Sequence, residues 1–538
     1  MWKAPVIAVA AFLLLQPCTR AGGEEGTCVL VEEGRAEGVF FSGLPWKEGP
    51  GYLEGTGVNN ELYAPFSLGP GDFTVTARIT LLRFERSAAA FFLNRDHFGF
   101  DGRRERLFVQ GPWFGRTRFI GKAPERITPG RPFLFEAARR GKTLSFRIDG
   151  DEVCRLPYHA RFAGRFGLRP WRGTLRVHRL EVRGNRVPPP PARTLLSPAR
   201  SPYRSFRAPV LLALPSGVLL AFCEAAGGDG GCSVLLLRSD DGGETWSPPR
   251  PFSGTGGMRL FSPAAVFDPE RERVFLFTAA RDPRGEGKDG APPVKVLLYT
   301  GTEGGTHWEG PREVTREVSR PGWREAVPGP GTGIPLDMGG GAVRLVVPGR
   351  HRGGEGRGWS AAHVIFSDDH GAGWRAGGST EPGSLEGALF TRPGGVLAMN
   401  MARERGMKGE EPFRRIAASQ DGGRSWSRSA WDRALLDPGV QAGILRVEGI
   451  AGAGVPVVLF SNPCHVREAK GLTLRFSFDE GWTWHLSAWL HGGTAGGSSL
   501  ALLPGGRLLC LFESGEGKAG GGLSLAAWTL PELPSPPE

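Results

Sequence analysis

Arginine and carboxylate side chains at widely separated points of the chain are the first candidates for chemistry. Arg207 stands in the segment FRAPV (206–210), ahead of a long apolar run, and Asp229 stands in the glycine-rich loop GGDGG (227–231). A guanidinium group matches a planar carboxylate, and each charged hydrogen bond contributes about 1.5–3 kcal/mol. A carboxyl group flanked by glycines stays accessible to a ligand. Each residue also fits a structural role, as a strand-edge arginine or a turn aspartate, so the elements that position them must decide.

A repeated eight-residue motif recurs in the C-terminal part of the chain. The pattern S-x-D-x-G-x-T-W is complete in two copies, altered in two more and worn in a fifth: SDDGGETW (239–246), SFDEGWTW (477–484), SQDGGRSW (419–426), SDDHGAGW (367–374) and GTEGGTHW (301–308). Asp and Ser bond the backbone of a hairpin, Gly takes a positive φ, and Trp packs between strands. We therefore interpret these aspartates as structural rather than catalytic.

The spacing of this motif predicts the architecture. The third-position acids are 62, 66, 52 and 58 residues apart, and short strands rich in Val, Leu and Phe precede the copies. A four-stranded propeller blade uses about this length of chain. With 83 glycines and 45 prolines for its turns, the chain is predicted to be all-β, and we expect residues 194–530 to form a six-bladed β-propeller.

The preceding residues, 28–186, predict a separate β unit. FTVTARI (73–79) and LSFRI (144–148) alternate like half-buried strands, and Asp149-Gly150 marks a hairpin. The order of strands is similar to that of concanavalin-like (laminin-G type) jelly-roll domains. We therefore expect a jelly-roll β-sandwich, which fits a sugar-binding module and a packing spacer equally well. The run VPPPP (187–191) cannot join a ladder and places a proline-rich linker at 187–193.

The first residues indicate export. Lys3 precedes an apolar run of about 11 residues, Pro5–Leu15, which is too short to span a bilayer. The small-residue site at 19–21 then predicts cleavage after a signal peptide of residues 1–21. We expect a secreted or periplasmic protein with no membrane span.

Cysteine count and charge limit the remaining possibilities. Six of the seven cysteines follow the predicted cleavage site, which permits three disulfides. Cys28–Cys154 and Cys223–Cys232 are among the possible pairs, and small buried thiols fit equally well. The net charge is +11, but the arginines are scattered rather than clustered with stacking aromatics, so the sequence argues against a nucleic-acid partner.

The apolar run after Arg207 connects the propeller to a known family. FRAPVLLALPSGVLLAF (206–222) closely resembles the sialidase opening (F/Y)-R-I-P-A-L-…-P-x-G-x-L-L-A-F. In that family the arginine is one of three that hold the carboxylate of sialic acid, and the resemblance gives this role to Arg207. The family's general-acid aspartate lies in the loop that follows, where Asp229 matches it.

Later segments extend the resemblance. LEG (385–387) and GVLAMNMAR (395–403) resemble the segment with the family's base glutamate and second carboxylate-binding arginine, which implies these roles for Glu386 and Arg403. Glu513 in CLFE (510–513) matches the glutamate that orients the first arginine. These residues call for no metal and no cofactor.

Two positions depart from the family pattern. Ala469 stands where the third arginine of the clamp is expected, and Gly497 stands where the family has its tyrosine nucleophile. The last tyrosine in the chain is Tyr299, so no nearby tyrosine can take over. Because glycine has no side chain with which to attack, ordinary sialidase chemistry does not follow from the resemblance.

The resemblance implies an exo-acting glycoside hydrolase of the exo-α-sialidase type, which removes terminal sialic acid or a related acidic sugar from glycans. Without the tyrosine the mechanism would be altered, with Asp229 as acid and Glu386 activating water. Two alternatives remain open: a non-catalytic carbohydrate-binding protein in which Arg207 and Arg403 hold a carboxylate, and a propeller scaffold. Sialylated or other acidic glycans are the expected partners of the hydrolase and of the carbohydrate-binding protein.

Overall fold

A computed structural model describes most of the chain. It covers residues 26–82, 89–102, 104–123, 125–159, 164–227, 231–254, 257–282, 294–353, 358–407, 409–448, 454–515 and 521–529. The predicted signal peptide (1–21) and the predicted acid Asp229 lie outside these ranges. Within them the structure is built of strands, with short 3-10 turns at Pro198–Arg200, Glu303–Gly305 and Pro393–Gly395. The described part of the chain holds no helix of the length and hydropathy needed to cross a membrane.

The N-terminal unit consists of two sheets. The first contains β1 (Cys28–Glu32), β2 (Arg35–Ala36), β4 (Lys47–Gly49), β5 (Tyr52–Gly57), β7 (Ser67–Leu81), β12 (Pro132–Arg140), β13 (Thr143–Ile148), β14 (Asp151–Pro157) and β16 (Gly173–Val187). The second contains β3 (Phe40–Phe41), β6 (Leu62–Tyr63), β8 (Ala90–Leu93), β9 (Asp96–Asp101), β10 (Arg106–Gly111), β11 (Gly115–Lys122) and β15 (Phe166–Arg169). Each of the two sheets therefore contains strands from both the first and the second half of the unit.

Alternating side chains hold these two sheets together as a sandwich. The Phe98 ring of the second sheet stacks on the Phe146 ring of the first, with centroids 4.5 Å apart. The predicted hairpin is confirmed, because Ile148 pairs with Asp151 and both turn residues have positive φ, 49° at Asp149 and 90° at Gly150. The strand-free linker is shorter than predicted: β16 continues to Val187 and β17 begins at Ala192.

Four separate sheets follow, and we call them the first to fourth blades. The first contains β18 (Tyr203–Ala213), β19 (Leu219–Gly227), β20 (Cys232–Ser239) and β21 (Arg250–Pro251); the second contains β22 (Arg259–Asp268), β23 (Arg273–Arg281), β24 (Val294–Thr302), β25 (His307–Glu313) and β27 (Gly331–Thr332). The third contains β26 (Glu325–Pro328), β28 (Ile334–Asp337), β29 (Val343–Gly353), β30 (Trp359–Ser367) and β31 (Arg375–Ala376); the fourth contains β32 (Ser384–Arg392), β33 (Val396–Arg403), β34 (Phe413–Ser419) and β35 (Ala430–Leu436).

The remaining strands form one seven-stranded sheet. It contains β36 (Gly443–Val447), β37 (Val457–Pro463), β38 (Lys470–Ser477), β39 (Leu486–Leu502), β40 (Arg507–Ser514), β41 (Gly522–Thr529) and the edge strand β17 (Ala192–Leu196). The first part of β39 pairs with β38 and the last part pairs with β40. The prediction of six separate blades is therefore corrected: four separate blades are seen, because β39 runs unbroken between two ladders. Pairing of β17 with β41 joins the two ends of the propeller chain.

The repeated motif acts as a turn, as predicted. In its first copy the Ser239 hydroxyl donates to Asp241 Oδ1 at 2.8 Å and accepts from the Gly243 amide at 2.9 Å. Hydrogen bonds from the hydroxyl and the amide of Thr245 and from Ser239 hold the pKa of Asp241 well below its usual range. The copies at 367–374, 419–426 and 477–484 repeat the Ser–Asp and Ser–Gly bonds. These aspartates are thus engaged in local hydrogen bonds.

The predicted disulfide options are excluded by strand order. Cys28 lies in β1 and Cys154 in β14, and four strands of the first sheet separate them, about 24 Å at the usual strand spacing. Cys223 pairs with Leu235 and Cys232 with Ala226, so these two cysteines are about 10 Å apart along neighbouring strands. Both separations exceed the roughly 7 Å between Cα atoms that a disulfide can span.

The sandwich packs directly on the propeller. Arg165 of the sandwich donates to the hydroxyls of Ser487 and Thr473, both at 3.0 Å. Its guanidinium group lies 4.7 Å from the ring centroid of Tyr63 and 4.6 Å from that of Trp489. The two units therefore share a buried polar and aromatic seam.

Candidate active site

One end of the propeller gathers several of the charged residues that the sequence singled out. In three of the blades the first strand begins at this end and the second strand returns to it. The strands concerned are β18 and β19, β22 and β23, and β32 and β33. Their pairs at this end are Arg207 with Glu224, Arg259 with Arg281, and Ser384 with Arg403. Strand β40 also ends there, and it places Glu513 beside β18. We call this end the propeller mouth.

Glu513 is fixed to the backbone of two other strands. Its Oε1 accepts a hydrogen bond of 2.9 Å from the amide of Ala208, 305 residues earlier in the chain, and the amide of Gly497 also donates to its carboxyl group. Ala208 has a φ of 53° within a β-bulge, and this conformation points its amide out of the ladder. Burial raises the pKa of Glu513, and these amides and Arg207 oppose the rise.

Glu224 accepts the same kind of backbone hydrogen bond one blade further on, and the sequence analysis did not identify this residue. Its Oε1 accepts from the amide of Ser262 at 2.5 Å, and Ser262 likewise has a φ of 53° before a proline. Burial raises the pKa of Glu224, and Arg350 and Arg207 oppose this rise. A signal was present, because PSGVLLAFCE (215–224) and PGGRLLCLFE (504–513) share the pattern P-x-G-x-L-L-x-x-x-E.

Glu386 faces the same mouth. It lies in the bulge of β32 between Ser384 and Gly387, and its side chain is 20% exposed. Its Oε1 lies 3.9 Å from Nε of Arg350, a residue that no sequence motif indicated. Glu386 also raises the pKa of Glu513, which places the two carboxyl groups within electrostatic reach of each other. Arg207 and Glu386 thus both lie within electrostatic reach of Glu513.

Arg403 reaches the same end of the fold, but its guanidinium group is held elsewhere. It donates through Nε to the carbonyl of Asp437, through Nη1 to Glu410 and through Nη2 to the carbonyl of Val466, each at 2.8 Å. Its side chain is only 5% exposed. The structure therefore does not bring Arg403 into contact with Arg207, Glu386 or Glu513 within the described residues.

The two departures from the family pattern have local structural consequences. The carbonyl of Ala469 accepts a hydrogen bond from the amide of Ala495 at the start of the last ladder, and the neighbouring Lys470 pairs with Glu468 at 2.8 Å. A Cβ atom at Gly497 would lie 3.1 Å from Oε1 of both Gln441 and Glu513. The place of the tyrosine is therefore bordered by two oxygen acceptors, and Oε1 of Gln441 has no hydrogen-bond partner within the described residues.

The mouth thus presents three carboxyl groups and two guanidinium groups, Glu224, Glu386, Glu513, Arg207 and Arg350. Guanidinium groups bind a carboxylate, and carboxyl groups in a partly desolvated site exchange protons with a ligand. Across the described ranges, no cluster of three His, Cys, Asp or Glu residues could hold a metal ion. The arrangement suits acid–base chemistry on an anionic, polar ligand.

A cavity of about 780 Å³ lies elsewhere, between the sandwich and the propeller. Its walls include His97, Arg169 and Trp171 of the sandwich and Arg433 of the propeller. It contains none of the predicted site residues. We place the candidate active site at the mouth because charged groups from five different strands converge there.

Comparisons with known proteins agree with this architecture. The BNR repeat-like domain matches residues 217–507, more than half of the chain, and the chain belongs to this family, within the sialidase superfamily. A sialidase of Micromonospora viridifaciens is 33% identical over 337 residues, which cover 59% of this chain and 51% of the relative. A sialidase of Bacteroides fragilis is 26% identical over 337 residues, which cover 58% of this chain and 60% of the relative. The chain thus spans about half to three fifths of the length of these relatives.

Solved structures show the same fold at low sequence identity. The Hadza microbial sialidase Hz136 superposes with a TM-score of 0.55 at 20% identity, over 87% of this chain and 95% of the other. A leech intramolecular trans-sialidase, complexed with 2,7-anhydro-Neu5Ac, superposes with a TM-score of 0.54 at 15% identity, over 86% of this chain and 95% of the other. Sialidase folds of this kind fit the β-propeller described above.

Proposed function

We propose that this protein is an exo-acting glycoside hydrolase that removes terminal sialic acid or a related acidic sugar from glycans by a mechanism without a tyrosine nucleophile. The observation that carries the proposal is the convergence of Glu386 and Glu513 with Arg207 and Arg350 at the mouth. Membership of the sialidase superfamily supports the substrate class.

The proposed reaction needs one acid, one base and one water molecule. Glu386 takes a proton from water, the water oxygen attacks the anomeric carbon, and the glycosidic C–O bond breaks. Asp229, matched to the acid by sequence, donates its proton to the leaving oxygen. Solvent then returns the proton from Glu386 to Asp229. Attack by water in one step inverts the anomeric configuration, unlike attack by a side-chain nucleophile.

A second candidate function is binding without hydrolysis. Gly497 supplies no nucleophile and Ala469 supplies no clamp arginine. In that case Arg207 would hold the acidic sugar in place, and Glu386 would be dispensable for binding. The two functions differ in turnover, so an enzymatic assay separates them.

The test is hydrolysis of 4-methylumbelliferyl sialoside by the purified full chain. We expect release of the fluorophore, and a loss of about 10²- to 10⁴-fold in Glu386→Gln and in Asp229→Ala. Glu270→Gln is the matched control, because Glu270 lies in the turn between β22 and β23 at the opposite end of the blade. Absence of turnover at high protein concentration eliminates hydrolysis of sialosides; glycan binding that is lost in Arg207→Met then selects the second function.

Outside the mouth, we propose that the N-terminal segment directs export and that the sandwich has a lectin-like role. We also propose that acidic glycans are the partners of the protein.

A further inference from the structure

The mouth contains an arginine that the sequence motifs did not indicate. We infer that Arg350 is the second residue that holds the substrate carboxylate, together with Arg207 and in place of Arg403 and of the missing arginine at position 469. The inference rests on the proposed function, because it names the group that recognises the acidic sugar.

Arg350 is positioned by the third blade but directed to the fourth. It lies near the end of β29, paired with Val327 on one side and Ala362 on the other. Its Nε lies 3.9 Å from Oε1 of Glu386, beyond hydrogen-bond distance. The side chain is 25% exposed.

One hydrogen-bond donor of Arg350 is not satisfied. Its Nε is buried and has no hydrogen-bond acceptor among the described residues. Buried donors in folded proteins are nearly always paired, so an open donor at a ligand site calls for an acceptor from the ligand. A carboxylate supplies two such acceptors in one plane.

Arg403 shows the opposite state. Three of its nitrogens already donate to Asp437, Glu410 and Val466, and its side chain is almost fully buried. Only two of its five N–H groups remain for a substrate carboxylate, and burial restricts access to them. The Arg350 side chain has no such hydrogen bonds among the described residues and is 25% exposed.

Glu224 links Arg350 to Arg207. Both arginines lower the pKa of this one carboxyl group, so both guanidinium groups lie within electrostatic reach of it. The Glu224 carboxyl group is itself anchored on the Ser262 amide. It is therefore a fixed carboxyl group within electrostatic reach of both arginines.

The experiment compares binding of free sialic acid with binding of its methyl ester, by calorimetry on the full chain. Removing the acid's charge separates recognition of the carboxylate from recognition of the rest of the sugar. We expect Arg350→Met to weaken binding of the acid by about 10- to 150-fold, the effect of one charged hydrogen bond, and to leave binding of the ester unchanged. Arg350→Lys keeps the charge without the planar fork and is expected to recover part of the loss.

Two further variants make the outcome decisive. Arg312→Met is the matched control, because Arg312 lies in the edge strand β25 of the second blade and its Nη1 donates to Glu317 at 3.0 Å; it is expected to bind the acid normally. Normal binding by Arg350→Met together with loss in Arg403→Met overturns the inference and leaves the proposed function intact. Failure of the wild-type protein both to bind the acid and to cleave the sialoside overturns the proposed function and the inference with it.

Discussion

Replacement of Gly496 by alanine tests the geometry of the mouth most directly. An ideal Cβ atom at this position would lie 2.2 Å from Oε2 of Glu513, whereas real Cβ contacts below 3.0 Å essentially never occur. The carboxyl group of Glu513 must therefore move, and we expect it to give up its bond to the buried Ala208 amide. Overpacking costs about 1–3 kcal/mol and an unpaired buried amide about 1–3 kcal/mol, so we expect a loss of about 2–6 kcal/mol in the free energy of unfolding.

The assay is denaturant-induced unfolding of the full chain followed by tryptophan fluorescence. Gly496→Ala is measured in the wild-type background and in Glu513→Ala, where the clashing carboxyl group is absent and the cost should fall below about 1 kcal/mol. Gly121→Ala is the control, because a Cβ atom there meets nothing within 4 Å; we expect a change of less than about 0.5 kcal/mol. An equal cost of Gly496→Ala in both backgrounds refutes the placement of Glu513.

Two further predictions concern the seam and the repeated turns. Arg165→Met removes the bonds to Ser487 and Thr473 and should destabilise the full chain by about 3 kcal/mol, lowering its calorimetric unfolding temperature; an unchanged temperature contradicts this. Partial burial alone would raise the pKa of Asp421, but hydrogen bonds from Ser425 and Ser419 outweigh it and lower the pKa to about 2, against 3.8 unfolded. The stabilising effect of Asp421 is therefore present above about pH 4 and lost toward pH 2, so the gap in unfolding midpoint to Asp421→Asn should close over that range; a gap independent of pH contradicts it.

The sequence predicted those parts of the fold whose contacts are local. Each repeated turn closes through bonds within eight residues, as between Ser239, Asp241 and Thr245, so its pattern is legible in one stretch of chain. The hairpin at Asp149-Gly150 was predictable for the same reason. The continuity of β39 was not, because no residue pattern shows whether a strand bends between two ladders or runs through.

The site was predictable only where the family resemblance applied. Arg207 and Glu513 lie within electrostatic reach of each other although they are distant in sequence, and local periodicity says nothing about such a pair. Glu224 could have been found from the repeated P-x-G-x-L-L-x-x-x-E pattern. Arg350 could not, because its importance comes from an unpaired nitrogen and a neighbouring Glu386 that only the folded chain reveals.

Retention of acidic residues at the mouth is not by itself a sign of catalysis. Glu513 and Glu224 each tie the bulge of an inner strand to the blade before it, through the Ala208 and Ser262 amides, so the fold requires them whether or not a reaction takes place. Glu386 is in a different position, since its nearest described ion-pair partner is Arg350 at 3.9 Å. The proposed hydrolysis needs a base at this position, whereas recognition of the sugar's carboxylate by arginine does not. The presence of Glu386 is therefore accounted for if the protein is a hydrolase, and it is not accounted for if the protein only binds glycans.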